Sequence, residues 1–283
     1  MSRIHDILTK AEREGGVRRT HASAAPPPVH TVPPPAPARP SAADDARAPH
    51  DTRRSGRVIE AGRMSPLLVA ALAPHADIAE QYRTLRTRLT LGEDGRPRRV
   101  LLVTSPAKGD GKTVTIANLA LTMAQEFNRR IVLVDADLRD PGLHALLGLP
   151  QGPGLSDVLN GTVPLDEALV ELPEFNHTVL PAGAPSERPA EQLGSTAMRH
   201  ALDALRSRFD RVLVDVPPVV PLADVGILAP QVDGVVLVVR AGATTKPEIE
   251  KALSVVDASR LLGIVLNGTE HARPPYGAPA ARD

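Results

Sequence analysis

Ser105-Pro106-Ala107-Lys108-Gly109-Asp110-Gly111-Lys112-Thr113 follows the apolar run Val100-Leu101-Leu102-Val103-Thr104 and opens a stretch with helical periodicity. Strand, glycine loop, Lys-Thr and helix, in that order, make a phosphate-binding P-loop. Gly109 and Gly111 let the backbone turn tightly, so that N–H groups from Lys108 through Asp110 to Val114 converge on phosphate oxygens. Lys112 adds a charge that reaches the β- and γ-phosphates, and Thr113 offers its hydroxyl to Mg²⁺. The helix that begins here points its positive dipole end at the anion. One position departs from the general pattern, which has glycine where this chain has Pro106. Only five of the 33 basic residues are lysines, and Lys108 and Lys112 are two of them.

Continuous aliphatic runs recur outward from the loop. Strands are expected at 99–104, 131–134, 179–180, 212–214, 235–239 and 264–266. Helical periodicity covers 112–127 (Ile116, Leu119, Ala120, Met123 and Phe127 on one face), 197–208 and 246–260. A helix near 78–89 carries Ile78, Tyr82, Leu85 and Leu89 as one stripe. Buried strands alternating with amphipathic helices predict an α/β fold, a mostly parallel sheet with helices on both faces.

Two of these strands end in acid. Ile131-Val132-Leu133-Val134 runs into Asp135-Ala136-Asp137-Leu138-Arg139, and Val212-Leu213-Val214 runs into Asp215-Val216-Pro217-Pro218. In an open α/β sheet the carboxyl edge of the strands is where ligands bind. Magnesium takes oxygen ligands and keeps several waters, and Asp215 is placed to hold such a water. Asp135 is a candidate either for the same task or for accepting a proton from an attacking hydroxyl. Asp224 is expected to cap a helix at 224–229. Asn267, at the end of the last strand, is either a nucleotide-base contact or a turn former beside Gly268.

The chain has 283 residues, formal charge zero and no cysteine. Disulfides and thiolate metal sites are excluded, and the charge balance gives no argument for nucleic acid. No apolar run reaches the length of a membrane span. Aromatic residues make up 2%, so the core must be aliphatic. Eight prolines between Pro26 and Pro40 favour extended, solvated chain. The expected organisation is a short helix at 1–20, a disordered Pro-rich linker at 21–65, a P-loop domain at 66–270 and a flexible tail at 271–283.

The loop, the Asp135/Asp137 run and the Asp215 run resemble the three Walker-type motifs of bacterial tyrosine kinases of exopolysaccharide and capsule loci, P-loop proteins related in fold to MinD/ParA ATPases. The resemblance extends over about residues 66–268. It includes Gly154-Leu155-Ser156-Asp157-Val158-Leu159, Leu180-Pro181-Ala182-Gly183 and Gly263-Ile264-Val265-Leu266-Asn267-Gly268. Glu80, Arg83 and Arg86 match the family's Glu-x-x-Arg-x-x-Arg motif, which lies at subunit interfaces of ring oligomers. By helix geometry they fan away from the Ile78/Tyr82 stripe.

This resemblance implies ATP and Mg²⁺ as cofactors, with phosphoryl transfer to tyrosine. Lys112, Asp135 and Asp137 are the implied catalytic group, and Thr113, Asp135 and Asp215 the metal contacts. It also implies a homo-oligomer, cytoplasmic and held at the inner membrane by the cytoplasmic tail of a polysaccharide co-polymerase. Two departures matter. The tail lacks the family's tyrosine cluster, leaving Tyr276 as the expected sole phosphoacceptor, and Lys108 sits one place later than the MinD/ParA signature lysine. A MinD/ParA-like ATPase switch and a non-catalytic ATP-binding scaffold are the competing readings.

Overall fold

A computed structural model of the chain describes residues 56–59, 62–90, 98–126, 129–220 and 224–269. The expected helix at 1–20, most of the linker, Phe127 and the tail with Tyr276 lie outside the described residues.

Eight strands form one sheet: β1 Arg57–Val58, β2 Val100–Thr104, β3 Ile131–Asp135, β4 Val170–Leu172, β5 His177–Leu180, β6 Arg211–Asp215, β7 Gly234–Arg240 and β8 Leu261–Asn267. Their spatial order is β1-β4-β5-β3-β6-β2-β7-β8. Every pairing is parallel except β4 with β5. Strands β2 and β3 are buried along their whole length, as their unbroken aliphatic sequences require.

Successive residues point to opposite faces. Leu101, Val103, Leu133, Leu213 and Val236 face a cluster with helix α3 (Lys112–Ala124), through Ile116, Leu119, Ala120 and Met123. Val100, Leu102, Val132, Val212 and Leu237 face the other side. There they meet Met198, Leu202 and Leu205 of helix α8 (Thr196–Arg208) and Ala252 of helix α10 (Lys246–Val255). Burying each of the Val, Leu, Ile and Met side chains fully contributes about 1.5–3 kcal/mol. Helix α10 stops earlier than its sequence suggests because Val256 turns extended.

Helix α3 is buried nearly all round because two further helices, α1 (Val69–Leu72) and α2 (Asp77–Thr90), cover it. Asn118, fully buried, accepts the Ala70 N–H at 2.9 Å and donates to the Leu67 carbonyl at 2.9 Å. It supplies the polar joint between α3 and the chain entering α1.

The folded unit therefore begins earlier than residue 66. Residues 57–58 pair with β4, Ile59 N–H donates to the Glu171 carbonyl, and Met64 and Leu68 are buried. Of the stretch read as linker, Arg57 and Ile59 are held at the sheet edge by main-chain hydrogen bonds to Leu169 and Glu171, and Gly62 and Ser65 by bonds to Gly148 and Leu146. Two residues, Arg57 and Val58, carry no periodicity from which a strand can be read.

The expected stripe on α2 holds for Tyr82, Leu85 and Leu89, which pack against the core, and departs at its start. Leu89 is buried and Tyr82 partly so, but Ile78 is 46% exposed, and Ala79 is buried in its place. The buried face runs through Ala79, Tyr82, Arg86 and Leu89 at 3-4-3 spacing, with Leu85 packed beside them, and so includes a small residue and an arginine.

Between β2 and β8 the chain fills in short helices: α4 Leu143–Leu146, α5 Leu155–Leu159, α6 Leu165–Ala168, α7 Pro189–Leu193 and α9 Asp224–Leu228. Two sequence motifs of the resemblance meet backbone to backbone. Leu155 N–H donates to the Pro181 carbonyl at 2.7 Å and Ser156 N–H to the Ala182 carbonyl at 2.8 Å. A methyl group at Gly154 would collide with the Pro181 carbonyl and the Gly183 nitrogen, so this approach requires glycine.

Among the described residues a buried histidine lacks a hydrogen-bond partner. His177 opens β5 with 3% exposure, and neither ring nitrogen makes a hydrogen bond. Burial pushes its pKa down to about 4, so it is neutral in the fold. Its unfolded value is near 6.5, so its penalty is absent above that pH and grows as pH falls towards 4. Relative to His177→Leu, the wild type is expected to lose up to about 3 kcal/mol between pH 6.5 and 4. Urea melts of the two proteins at pH 7.5 and pH 4.5 check this, and an unchanged difference between them would refute it.

Candidate active site

The carboxyl ends of β3, β6 and β2 lie side by side, since β6 sits between the other two. In register, Asp135 is paired with Asp215, and Val103 with Asp215. The two acidic runs and the glycine loop, distant in sequence, thus leave the sheet at one edge. The loops are tied together there. Ala136 N–H donates to the Asp215 carbonyl, Val219 N–H to the Ser105 carbonyl, and the Thr104 hydroxyl to the Pro217 carbonyl, each at 2.8 Å.

The glycine loop has the shape a phosphate cradle needs. Gly109 and Gly111 adopt φ of 93° and 94°, left-handed values that exclude larger side chains. Helix α3 starts directly after Gly111, and no side chain caps it. Thr115 N–H donates to the Gly111 carbonyl, which leaves the N–H groups of Lys112, Thr113 and Val114 ahead of the first helical bond.

Three predicted residues converge at this helix start. The Lys112 ammonium lies 2.9 Å from Asp137 Oδ2 and 3.5 Å from Asp215 Oδ1. The Thr113 hydroxyl donates to Asp215 Oδ2 at 2.7 Å. Asp215 is 1% exposed, and its Oδ1 has no hydrogen-bond partner. Burial pulls the Lys112 ammonium down, Asp215 and then Asp137 push it up, and the balance lies above the ordinary lysine value. Burial also raises the Asp215 carboxyl, against Lys112 and Thr113, which favour its charged form.

Asp135 sits deeper. Its Oδ1 accepts the Asp137 N–H at 3.1 Å and its Oδ2 the Leu143 N–H at 3.2 Å. Burial first, then the neighbouring Asp215, raise its pKa to about 7.

A hydroxyl, a bare carboxylate oxygen and the hard oxygen donors around them suit a magnesium ion. Among the described residues no three His, Asp or Glu side chains form an all-protein metal cage. That is the ordinary situation for an ion that arrives with phosphates and keeps its waters.

Other expected residues lie apart from this centre or serve it indirectly. Lys108 is 84% exposed and pairs with Asp140. Asp110 is buried, with its carboxylate turned under the loop. Asn267 donates to the Asp110 carbonyl at 2.9 Å, and its side chain packs where a Gly111 side chain would be. Asp224 does not act as a helix cap. Fully buried, it holds the Arg139 guanidinium through two hydrogen bonds, at 2.9 and 3.3 Å, and so ties the Asp135–Arg139 loop to α9.

Glu80 and Arg83 pair at 2.6 Å near the protein surface, and Arg83 also reaches the Pro74 carbonyl. Arg86 instead faces α3, donating to the Thr122 carbonyl at 2.9 Å and pairing with Glu126 at 3.2 Å. It therefore lies on the buried side of α2, and not on the side away from the stripe. Among the described residues no helix is long and apolar enough to cross a membrane.

No family model matches the chain. Individual relatives do. Tyrosine-protein kinase YwqD of Bacillus subtilis is 34% identical over 224 residues, covering 78% of this chain and 94% of that protein. Putative tyrosine-protein kinase CapB of Staphylococcus aureus is 30% identical over 206 residues, covering 72% of this chain and 90% of its own. Among solved structures, the BceF tyrosine kinase domain superimposes with a TM-score of 0.63 at 33% identity, over 71% of this chain and 81% of that domain. Identity at that level along almost the whole of YwqD, in a chain whose glycine loop and paired acidic strand ends meet at one sheet edge, makes this protein a member of the bacterial tyrosine-protein kinase family.

Proposed function

We propose that this chain is an ATP-dependent protein-tyrosine kinase that serves an exopolysaccharide assembly or export system. The observation that carries the reading is the Lys112 ammonium between Asp137 and Asp215 at the open start of α3. The loop N–H groups and Lys112 bind the β- and γ-phosphates. Thr113 and Asp215 would hold magnesium, which would supply charge neutralisation on the phosphate oxygens. Asp137 orients Lys112. Asp135, with a proton affinity near neutrality, accepts the tyrosine proton.

The partner is the cytoplasmic tail of a membrane polysaccharide co-polymerase, and the enzyme works at the inner membrane through it. Glu80 and Arg83 contribute to a contact between copies of the chain, while Arg86 fastens α2 to α3. Tyr82 stands beside Thr115 and Asn118, and burial raises its pKa, so it is a poor acceptor. Tyr276 is the acceptor within the chain.

One set of samples tests these statements. The full chain is incubated with Mg²⁺, ATP and a tyrosine-containing peptide, then analysed by mass spectrometry and by sizing. Phosphate is expected on Tyr276 and on the peptide, none on Tyr82, and an oligomer larger than a monomer. ATP turnover without phosphotyrosine on either polypeptide would transfer the case to the ATPase switch. A monomer at high concentration with ATP would end the interface reading.

A further inference from the structure

Asp110 poses an electrostatic problem. It stands between the two glycines of a loop read as a polyphosphate cradle, where a carboxylate repels the ligand. The side chain is 4% exposed and turned under the loop. Its Oδ2 accepts the Ala107 N–H at 2.8 Å, and its Oδ1 accepts the Thr244 hydroxyl at 2.8 Å. Thr244 lies after β7, 134 residues along the chain.

The orientation of that hydroxyl is fixed by chemistry. The Thr244 oxygen accepts the Arg240 N–H at 2.8 Å, and an amide can only donate. The ionised carboxylate can only accept, so the hydroxyl proton goes to Asp110. The chain of bonds from Arg240 through Thr244 and Asp110 to Ala107 therefore has one direction.

The same region braces the rest of the loop. Arg240 Nη1 reaches the Gly109 carbonyl at 3.4 Å, Asn267 Nδ2 the Asp110 carbonyl at 2.9 Å, and Ala241 N–H the Asn267 carbonyl at 2.8 Å. The segments that follow β7 and end β8 thus brace Ala107, Gly109 and Asp110 of the loop.

We propose that Thr244 is a positioning residue for ATP. Its hydroxyl holds the Asp110 carboxylate beneath the loop, keeping the negative charge off the phosphate side and the loop N–H groups aimed at it. Thr244 acts through Asp110. The inference rests on the reading of Ser105–Thr113 as the ATP site. Thr244→Val removes the donor at almost constant volume, leaving a buried carboxylate oxygen unpaired and the carboxylate free to rotate towards the phosphates. Thr244→Ser keeps the donor. Asp110→Asn removes the charge, while its amide can still bond both Ala107 and Thr244.

The test is a titration of the full-length protein with a fluorescent ATP analogue and Mg²⁺, beside steady-state kinetics and melting curves. Thr244→Val is expected to weaken binding about tenfold, as expected for one lost hydrogen bond to a charged group. The KM for ATP should rise by a similar factor, with a smaller change in kcat. Thr244→Ser should bind within about threefold of wild type, and Asp110→Asn at least as well as wild type. The double variant Thr244→Val/Asp110→Asn should recover most of the loss, because the repelling charge is gone.

Binding by Thr244→Val within twofold of wild type overturns the proposal. So does Thr244→Ser binding as weakly as Thr244→Val, or weaker binding by Asp110→Asn, which needs no folded Thr244→Val protein. Wild-type protein that fails to bind nucleotide overturns the ATP-site reading itself, a different result from either of these.

Discussion

Replacement of Lys112 by Met is expected to lower phosphoryl transfer by at least about a thousandfold and to weaken Mg·ATP binding about a hundredfold. The side chain is 12% exposed at the helix start, and no other described cation lies within 4 Å of Asp137 or Asp215. Its loss removes the charge that meets the β- and γ-phosphates. It also strands two buried carboxylates, one of which, Asp215, already has an oxygen without a hydrogen bond. Removing one partner of a buried ion pair costs about 3–5 kcal/mol, and proton uptake by the stranded acids will reduce that figure. The nucleotide-free variant should therefore melt below wild type, most clearly above neutral pH, where proton uptake is hardest. Adding Asp137→Asn should restore part of the melting temperature and none of the transfer. Equilibrium binding, phosphotyrosine formation and thermal melts separate the two effects. Wild-type transfer by Lys112→Met would remove the P-loop from the mechanism.

The central sheet and the phosphate loop were legible in sequence because both rest on local rules. Val100–Thr104 and Ile131–Asp135 are unbroken aliphatic runs, and every one of their residues is buried. Gly109 and Gly111 adopt the left-handed backbone that only their type adopts readily. What escaped depends on partners far along the chain. The edge strand at Arg57–Val58 exists through main-chain bonds to β4, which its two side chains do not announce. Arg86 reads as a solvated charge, yet Thr122 and Glu126 draw it to the buried side of α2. Asp224 has the residue type and position of a helix cap, and the Arg139 guanidinium claims it instead. Thr244 gave no spacing signal at all, since its partner Asp110 is 134 residues away, with α3 and strands β3 to β7 between them in sequence. Glu248 accepts both the N–H and the hydroxyl of the neighbouring Thr245, leaving the Thr244 hydroxyl for another task. Short-range periodicity thus locates the scaffold and the principal site, and the side chains that brace the site become visible only once the strands are ordered.

Asp135→Asn is expected to lower phosphoryl transfer by about a hundred- to ten-thousandfold while changing Mg·ATP affinity less than about tenfold. The expectation follows from how the three carboxylates divide their contacts. Asp137 and Asp215 face the Lys112 ammonium, and Asp215 also receives the Thr113 hydroxyl. Asp135 faces the backbone, accepting N–H groups from Asp137 and Leu143 in a fully buried position. Burial and the charge of Asp215 bring its pKa to about 7, the range in which a group both accepts and releases a proton readily. An asparagine there keeps the size and one acceptor and cannot take a proton. Loop N–H groups, Lys112, Thr113 and Asp215 all remain, so the nucleotide should still bind. Asp215→Asn should do the opposite, losing Mg·ATP affinity first, because it removes a negative oxygen from beside Thr113. The two proposed roles of Asp135, proton acceptor and metal contact, separate on this comparison. Loss of transfer with binding retained identifies the proton acceptor. A parallel loss of metal-dependent nucleotide binding in Asp135→Asn and Asp215→Asn would make Asp135 a metal contact and leave the tyrosine proton to another base.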